Sequence, residues 1–219
     1  MIKLGNVLLL GDSYTTFEGH IPEGYAPYYA PNERPEIESD VKKVEQTWWH
    51  QLIEATDSNL VLNCSWSGTT VCNTTYDGRD ASEFSFIARF DQLVEKGFFE
   101  ENQIDTLIIF GGTNDAGAHS PQGELQYGDW KKEDLKQAFP AFCYLLHRAK
   151  ACLPNTRVVC LINPIIRASF TDGYRAACAH DGIECVNLVD LDMHNSHPTV
   201  KGMAQIKEQL LRYFAENVR

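Results

Sequence analysis

The chain has 219 residues, 43% of them hydrophobic and 22% charged, the proportions of a globular protein that buries one sizeable core without disulfides or metals. A formal net charge of -11 argues against a partner held through phosphates, because nucleic-acid binders concentrate Lys and Arg on one face. The apolar runs, such as Val7 to Leu10 and Thr106 to Phe110, fall far short of the roughly 20 residues of a bilayer-spanning helix, so neither nucleic acid nor membrane is an expected partner.

The first predicted element is Asn6 to Leu10, an aliphatic run ended by Gly11. The N-terminus has one Lys, and its four-residue apolar run leads straight into a Gly-Asp-Ser turn, which reads as a buried strand and not as a signal peptide. Tyr14 to Glu45 is irregular, with Pro22, Pro27, Pro31, Pro35, Tyr25, Tyr28 and Tyr29. A loop that long inside a domain is functional or disordered; its aromatic content favours order, and it is expected to wall a cleft. A helix follows over Thr47 to Ala55, in which Trp48 and Trp49 are read as packing residues, then a strand over Leu60 to Leu62 and a helix over Ile87 to Lys96. Next come a strand at Thr106 to Phe110 and a helix over Lys132 to Cys152, amphipathic through Leu135, Phe139, Phe142, Leu145, Leu146 and Ala149 and stopped by Pro154. The last elements are a strand over Arg157 to Ile162, a helix over Tyr174 to Ala179, a strand over Glu184 to Leu188 and a helix near Lys201 to Asn217.

Strands without polar alternation are covered on both faces, and strands alternating with helices build parallel βαβ units. The expectation is therefore a three-layer α/β/α sandwich with a mostly parallel sheet, formed as one domain over residues 1–219. Seven cysteines is an odd count, and their spacings (Cys64 and Cys72, Cys152 and Cys160) lack the two-residue gaps of zinc knuckles or redox pairs. They are read as reduced core residues of a cytoplasmic protein.

Ligands of open parallel sheets bind beyond the carboxyl ends of the strands, and three of these ends carry unusual chemistry. They are Gly11-Asp12-Ser13-Tyr14, Asn63-Cys64-Ser65-Trp66-Ser67-Gly68 and Gly111-Gly112-Thr113-Asn114-Asp115. Ser13, at a strand-to-loop turn, is a candidate nucleophile that needs a base. The Asn114 amide and the main-chain N–H groups of Gly68 and Ser13 are candidate donors to an oxyanion. His197, held extended by Pro198 in the loop before the last helix, is the candidate base. Asp12 and Asp115 are expected to be structural, and His20, His50, His119, His147 and His180 stand outside any motif.

Taken in order, Gly11-Asp12-Ser13, Gly68, Gly112-Thr113-Asn114-Asp115 and His197-Pro198-Thr199 with Gly202 resemble the four motif blocks of SGNH hydrolases, the GDSL-like esterases and lipases. The resemblance runs from residue 7 to about residue 205. It implies a flavodoxin-like fold, Ser13 as nucleophile and oxyanion donor, Gly68 and Asn114 as further donors, and His197 as general base. It also implies deacylation of small esters, among them O-acetyl sugars, lysophospholipids and thioesters, with no metal or organic cofactor. Two positions depart from the pattern. Ser65 stands where glycine is common, and His194 stands three residues before His197, where the family carries its triad Asp. Asp192 is the nearest substitute; failing it, a main-chain carbonyl would orient the ring. Two other readings stay open: a metal-dependent hydrolase using Asp190, Asp192, His194 and His197, and a non-catalytic carbohydrate-binding protein.

Overall fold

The computed structural model describes residues 2–33 and 36–217; Pro35 lies outside the described residues. Five strands form one parallel sheet: β1 (Asn6–Gly11), β2 (Asn59–Ser65), β3 (Thr106–Phe110), β4 (Arg157–Ile162) and β5 (Glu184–Asn187), in spatial order β2-β1-β3-β4-β5. That order is the flavodoxin-like one, with its switch point between β1 and β3. A short antiparallel pair, β6 (Met193–His194) and β7 (His197–Pro198), stands apart from the sheet.

Period-two alternation along the strands divides the core into two layers. Leu8, Leu10, Leu107, Ile109, Val158 and Cys160 pack one face under α2 (Phe86–Glu95), α5 (Ala138–Cys152) and α6 (Ala168–Asp181). Val7, Leu9, Ile108, Phe110, Val159 and Leu161 pack the other under α1 (Trp48–Ala55) and α7 (Val200–Glu216). Trp48 and Trp49 are buried in that second layer, the packing role expected of them. All seven cysteines are free thiols, and five are buried. Among the described residues no helix is long and apolar enough to cross a membrane.

The expected strands are all present, two of them with the expected bounds and two more within a residue at either end, but two helices differ from the sequence reading. α5 starts at Ala138 and not at Lys132, because Pro140 has no N–H and is tolerated only in a first turn; Asp134–Lys136 forms a separate short 3₁₀ turn. α6 begins six residues before Tyr174, at Ala168, although Thr171 and Gly173 are weak helix formers, since it buries Phe170, Tyr174 and Cys178 against the first layer. Two short helices, α3 (Phe98–Glu101) and α4 (Thr113–Gly117), complete the fold.

Register sets the functional edge. Gly11 is level with Ser65 on one side and with Phe110 on the other, so the segments after β1, β2 and β3 leave the sheet together. Gly112 opens α4 in the left-handed region (φ 91°), where a Cβ would sit 2.2 Å from a Tyr174 ring carbon. Gly24 is also left-handed (φ 84°), with no neighbour near its would-be Cβ. Gly24→Ala should therefore cost only the backbone penalty of about 1–2 kcal/mol, whereas Gly112→Ala adds an overpacking cost of about 1–3 kcal/mol. Urea unfolding should place the Gly112→Ala midpoint clearly below that of Gly24→Ala at unchanged slope; equal midpoints would contradict the packing described.

Candidate active site

The first turn after β1 shows why Gly, Asp and Ser stand in that order. At Gly11 a Cβ would lie 2.6 Å from the Thr15 side chain and 2.7 Å from Ser65 Oγ, so only glycine lets the chain turn this close to β2. Asp12 caps the 3₁₀ turn Ser13–Thr15: its carboxylate accepts from the Tyr14 N–H at 3.1 Å, and its carbonyl accepts from the Thr15 N–H at 3.0 Å. Ser13 follows, with its hydroxyl oxygen 2.9 Å from His197 Nε2. Burial pushes the Asp12 carboxyl up to about 7, against the Tyr14 N–H and the Arg89 guanidinium, which favour its charged form.

His197 reaches Ser13 because a two-residue hairpin presents it. Asn195 (φ 46°) and Ser196 (φ 61°) are both left-handed, the signature of a type I′ turn, and they set His194 opposite His197. The same turn brings the Asn195 carbonyl to 3.0 Å from His197 Nδ1. That contact assigns the proton to Nδ1 and leaves Nε2 as the acceptor toward Ser13. Burial lowers the His197 pKa, with the Asn195 carbonyl opposing.

Asp192 does not orient His197. The hairpin register sets residue 192 against Thr199, whose N–H donates to the Asp192 carbonyl at 3.1 Å. The Asp192 carboxylate accepts from the Thr199 hydroxyl and lies 3.6 Å from Lys201 Nζ; the hydroxyl first, then the lysine, holds its pKa below the usual carboxylate value. His194, at the position where an acid was expected, pairs with Glu38 at 3.1 Å. Asp192, His194 and His197 face different partners, and among the described residues no three His, Cys, Asp or Glu side chains are grouped as a metal would require.

The candidate oxyanion donors stand on the loops after the same strands. Asn114, buried on α4, donates from Nδ2 to the Thr69 carbonyl at 3.0 Å and lies 3.5 Å from an Asp12 carboxylate oxygen. Its Oδ1 accepts from the Tyr76 hydroxyl at 3.0 Å, which fixes the amide's orientation. Asp115, buried as a structural residue, accepts from the Val71 and Cys72 N–H groups at 2.8 and 3.1 Å and so stitches α4 to the loop after β2. Gly68 (φ 77°) is exposed on that loop, and among the described residues neither its N–H nor that of Ser13 has a hydrogen-bond acceptor.

A cleft of about 420 Å³ opens over Ser13 and His197. Its walls are Tyr76, the segment 113–117, Ile165, Ile166 and Arg167; Gly68 and the three loop tyrosines are not among its lining residues. Among the described residues of the 14–45 segment, Tyr14 lines the cleft, whereas Tyr25, Tyr28 and Tyr29 pack beside it. Tyr28 stacks on the His197 ring, the Tyr29 hydroxyl donates to the Pro198 carbonyl at 2.9 Å, and Tyr25 stacks on Trp66.

Two contributors escaped the sequence reading. Tyr76 sits in a segment where no periodicity marks it. Arg89 did leave a signal: at helical spacing with Phe86, Phe90 and Leu93 it occupies a core position of α2. It is fully buried and donates to the carbonyls of Cys64, Gly11 (3.2 Å) and Phe84 (3.0 Å) and to the Thr69 hydroxyl (3.0 Å).

Against known proteins, the family model for GDSL-like lipase/acylhydrolase matches residues 5–214. A crystal structure assigned as a GDSL-like lipase from Bacteroides ovatus superimposes with a TM-score of 0.90 at 40% identity, covering 98% of this chain and 99% of that one. A second, from Bacteroides uniformis, gives 0.89 at 38% identity over 97% and 96%. An acetyl xylan esterase from the rumen bacterium Butyrivibrio proteoclasticus shares the fold at 18% identity and a TM-score of 0.61, covering all of this chain and 65% of that one. No curated protein matches. With the family model spanning nearly its whole length and full-length relatives near 40% identity, the chain belongs to the GDSL-like lipase/acylhydrolase family of ester hydrolases.

Proposed function

We propose that the protein is a serine esterase that removes a small acyl group, acetyl in the first instance, from a carbohydrate ester through an acyl-enzyme on Ser13. One observation carries this reading: the 2.9 Å contact between Ser13 Oγ and His197 Nε2 at the floor of an open cleft. An alcohol is a poor nucleophile at neutral pH, and a neutral imidazole at hydrogen-bond distance can take its proton as the oxygen attacks. His197 then returns that proton to the departing alcohol, and water, activated by the same ring, releases the acid. The N–H groups of Ser13 and Gly68 and the Asn114 amide would receive the charge that develops on the carbonyl oxygen. Burial of Asp12 favours its neutral form below about pH 7, which keeps a second negative charge away from that oxygen. The unit is a Ser-His dyad whose ring is oriented by the Asn195 carbonyl. Small acyl groups and sugars suit a cleft of mixed polar and aliphatic lining, and the acetyl xylan esterase of the same fold supports that substrate class.

Hydrolysis of p-nitrophenyl acetate should lose about 10³-fold or more of kcat in Ser13→Ala and in His197→Ala, with little further loss in the double variant, because the two act as one unit. Full activity in Ser13→Ala would overturn the mechanism. Asn114→Ala should lower kcat by about 10² to 10³ with KM little changed, as expected of a donor used in the transition state. Asp192→Asn should leave kcat close to wild type, where loss of a triad acid would cost about 10⁴-fold. The substrate class is tested on acetyl, butyryl and longer p-nitrophenyl esters beside O-acetylated sugars, with a preference for long chains counting against it.

A further inference from the structure

In a dyad, the proton taken from Ser13 leaves a positive charge on His197 with no carboxylate to meet it. The Asn195 carbonyl fixes the tautomer but offers only a dipole. Ionisable groups surround the ring without pairing to it. Asp12 lies behind Ser13 and caps Tyr14, Asp40 accepts the Val200 N–H and faces Tyr29, Glu38 holds His194, Asp192 is shared by Thr199 and Lys201, and Arg167 stands across the cleft. Among the described residues none makes an ion pair with His197.

Aromatic rings surround the imidazole instead. Tyr28 lies flat on it, ring centroids 3.6 Å apart and planes 6° from parallel. Tyr14 closes in at 5.1 Å, tilted 59°, and Tyr29 at 6.5 Å, tilted 78°. The rings and the hairpin are tied together on both sides of the histidine: Tyr14 donates to the Ser196 carbonyl, Tyr29 donates to the Pro198 carbonyl, and the Tyr28 N–H is held by Thr16 Oγ1 at 2.8 Å. Toward a neutral imidazole the flat contact is mainly buried area. Toward an imidazolium the negative face of the tyrosine ring becomes electrostatically attractive. An interaction that strengthens as the ring becomes charged favours the transition state over the ground state, the condition for acceleration.

We propose that Tyr28 and Tyr14 form an aromatic cage that stabilises the His197 imidazolium in place of the triad carboxylate, with Tyr28 as the principal positioning residue and Tyr29 holding the hairpin through the Pro198 carbonyl; this rests on the Ser13–His197 reading above. The test replaces Tyr28 with Phe and then with mono-, di- and trifluorinated phenylalanine, a series that nearly preserves shape and burial while draining the negative face of the ring. Tyr28→Phe, which keeps the ring and its negative face, is the reference for the series. Along the fluorinated series kcat should fall stepwise to about a tenth at constant KM, the loss expected for a partly desolvated cation–π contact. The pKa of His197, followed by NMR in the Ser13→Ala background, should fall in parallel. If kcat and pKa are both flat across the series while Tyr28→Leu weakens the enzyme, the ring is only a wall and the cage is overturned. A pKa that falls while kcat stays constant upholds the cage and overturns the Ser13–His197 reading.

Discussion

Arg89 is the constraint on which the rest of the site depends. A buried guanidinium is costly, and this one is accommodated because its N–H groups meet oxygens of four separate positions: the ends of β1 and β2, the Thr69 hydroxyl, and the carbonyl before its own helix. Two of those oxygens, of Gly11 and Cys64, belong to the last residues of β1 and β2, and Gly11 also accepts from the Trp66 N–H at 3.1 Å. One side chain thus ties the ends of β1 and β2 to Thr69 and sets the loops after the two strands at a fixed separation. Thr69 carries the link onward, since its carbonyl receives the Asn114 amide. The ends of β1, β2 and β3 are in this way referred to a single planar group, and the Ser13 turn is built on that platform.

The hairpin β6–β7 supplies what the platform lacks. It makes no ladder with the main sheet, so its placement rests on side chains: the hydroxyls of Tyr14 and Tyr29 and the Asp40 carboxylate at the start of α7. The type I′ turn makes the spacing between imidazole and orienting carbonyl a property of six consecutive residues. With the Asn195 carbonyl on the His197 ring, His194 pairs with Glu38 at the surface.

Much of this was legible in the sequence, and the reason is periodicity. The runs Asn6 to Leu10, Thr106 to Phe110 and Arg157 to Ile162 have no polar alternation because both faces of the sheet are covered, and each was readable as a parallel strand. The strand-end rule then singled out Ser13 and Asn114, which the fold brings to one edge. The helix over Lys132 to Cys152 was drawn too long because its amphipathic spacing continues back through Leu135, while Pro140 permits a helix only from Ala138. Asp192 was beyond reach for another reason: whether a carboxylate five residues from a histidine can curl back depends on a hairpin register that two left-handed residues decide, and Asn195-Ser196 is a weak signal for that turn. The aromatic packing of the 14–45 segment was foreseen as order, but the surface it covers was not, since no pattern in a proline-rich loop says which side of a site it will face.

The position of β1 in the middle of the sheet has a consequence for the order in which the molecule is put together. Its partners β2 and β3 come from about 50 and 100 residues further along, and Ser13 meets His197 across 184 positions. Loop closure over such separations is entropically costly until the intervening structure exists, so these contacts close late. A chain still being synthesised carries the Ser13 turn long before it carries His197. Local opening of the hairpin, which makes no ladder with the main sheet, would part His197 from Ser13 while the sheet persists. Loss of activity on mild heating is therefore expected to precede loss of helix and sheet, an ordering that follows from topology alone.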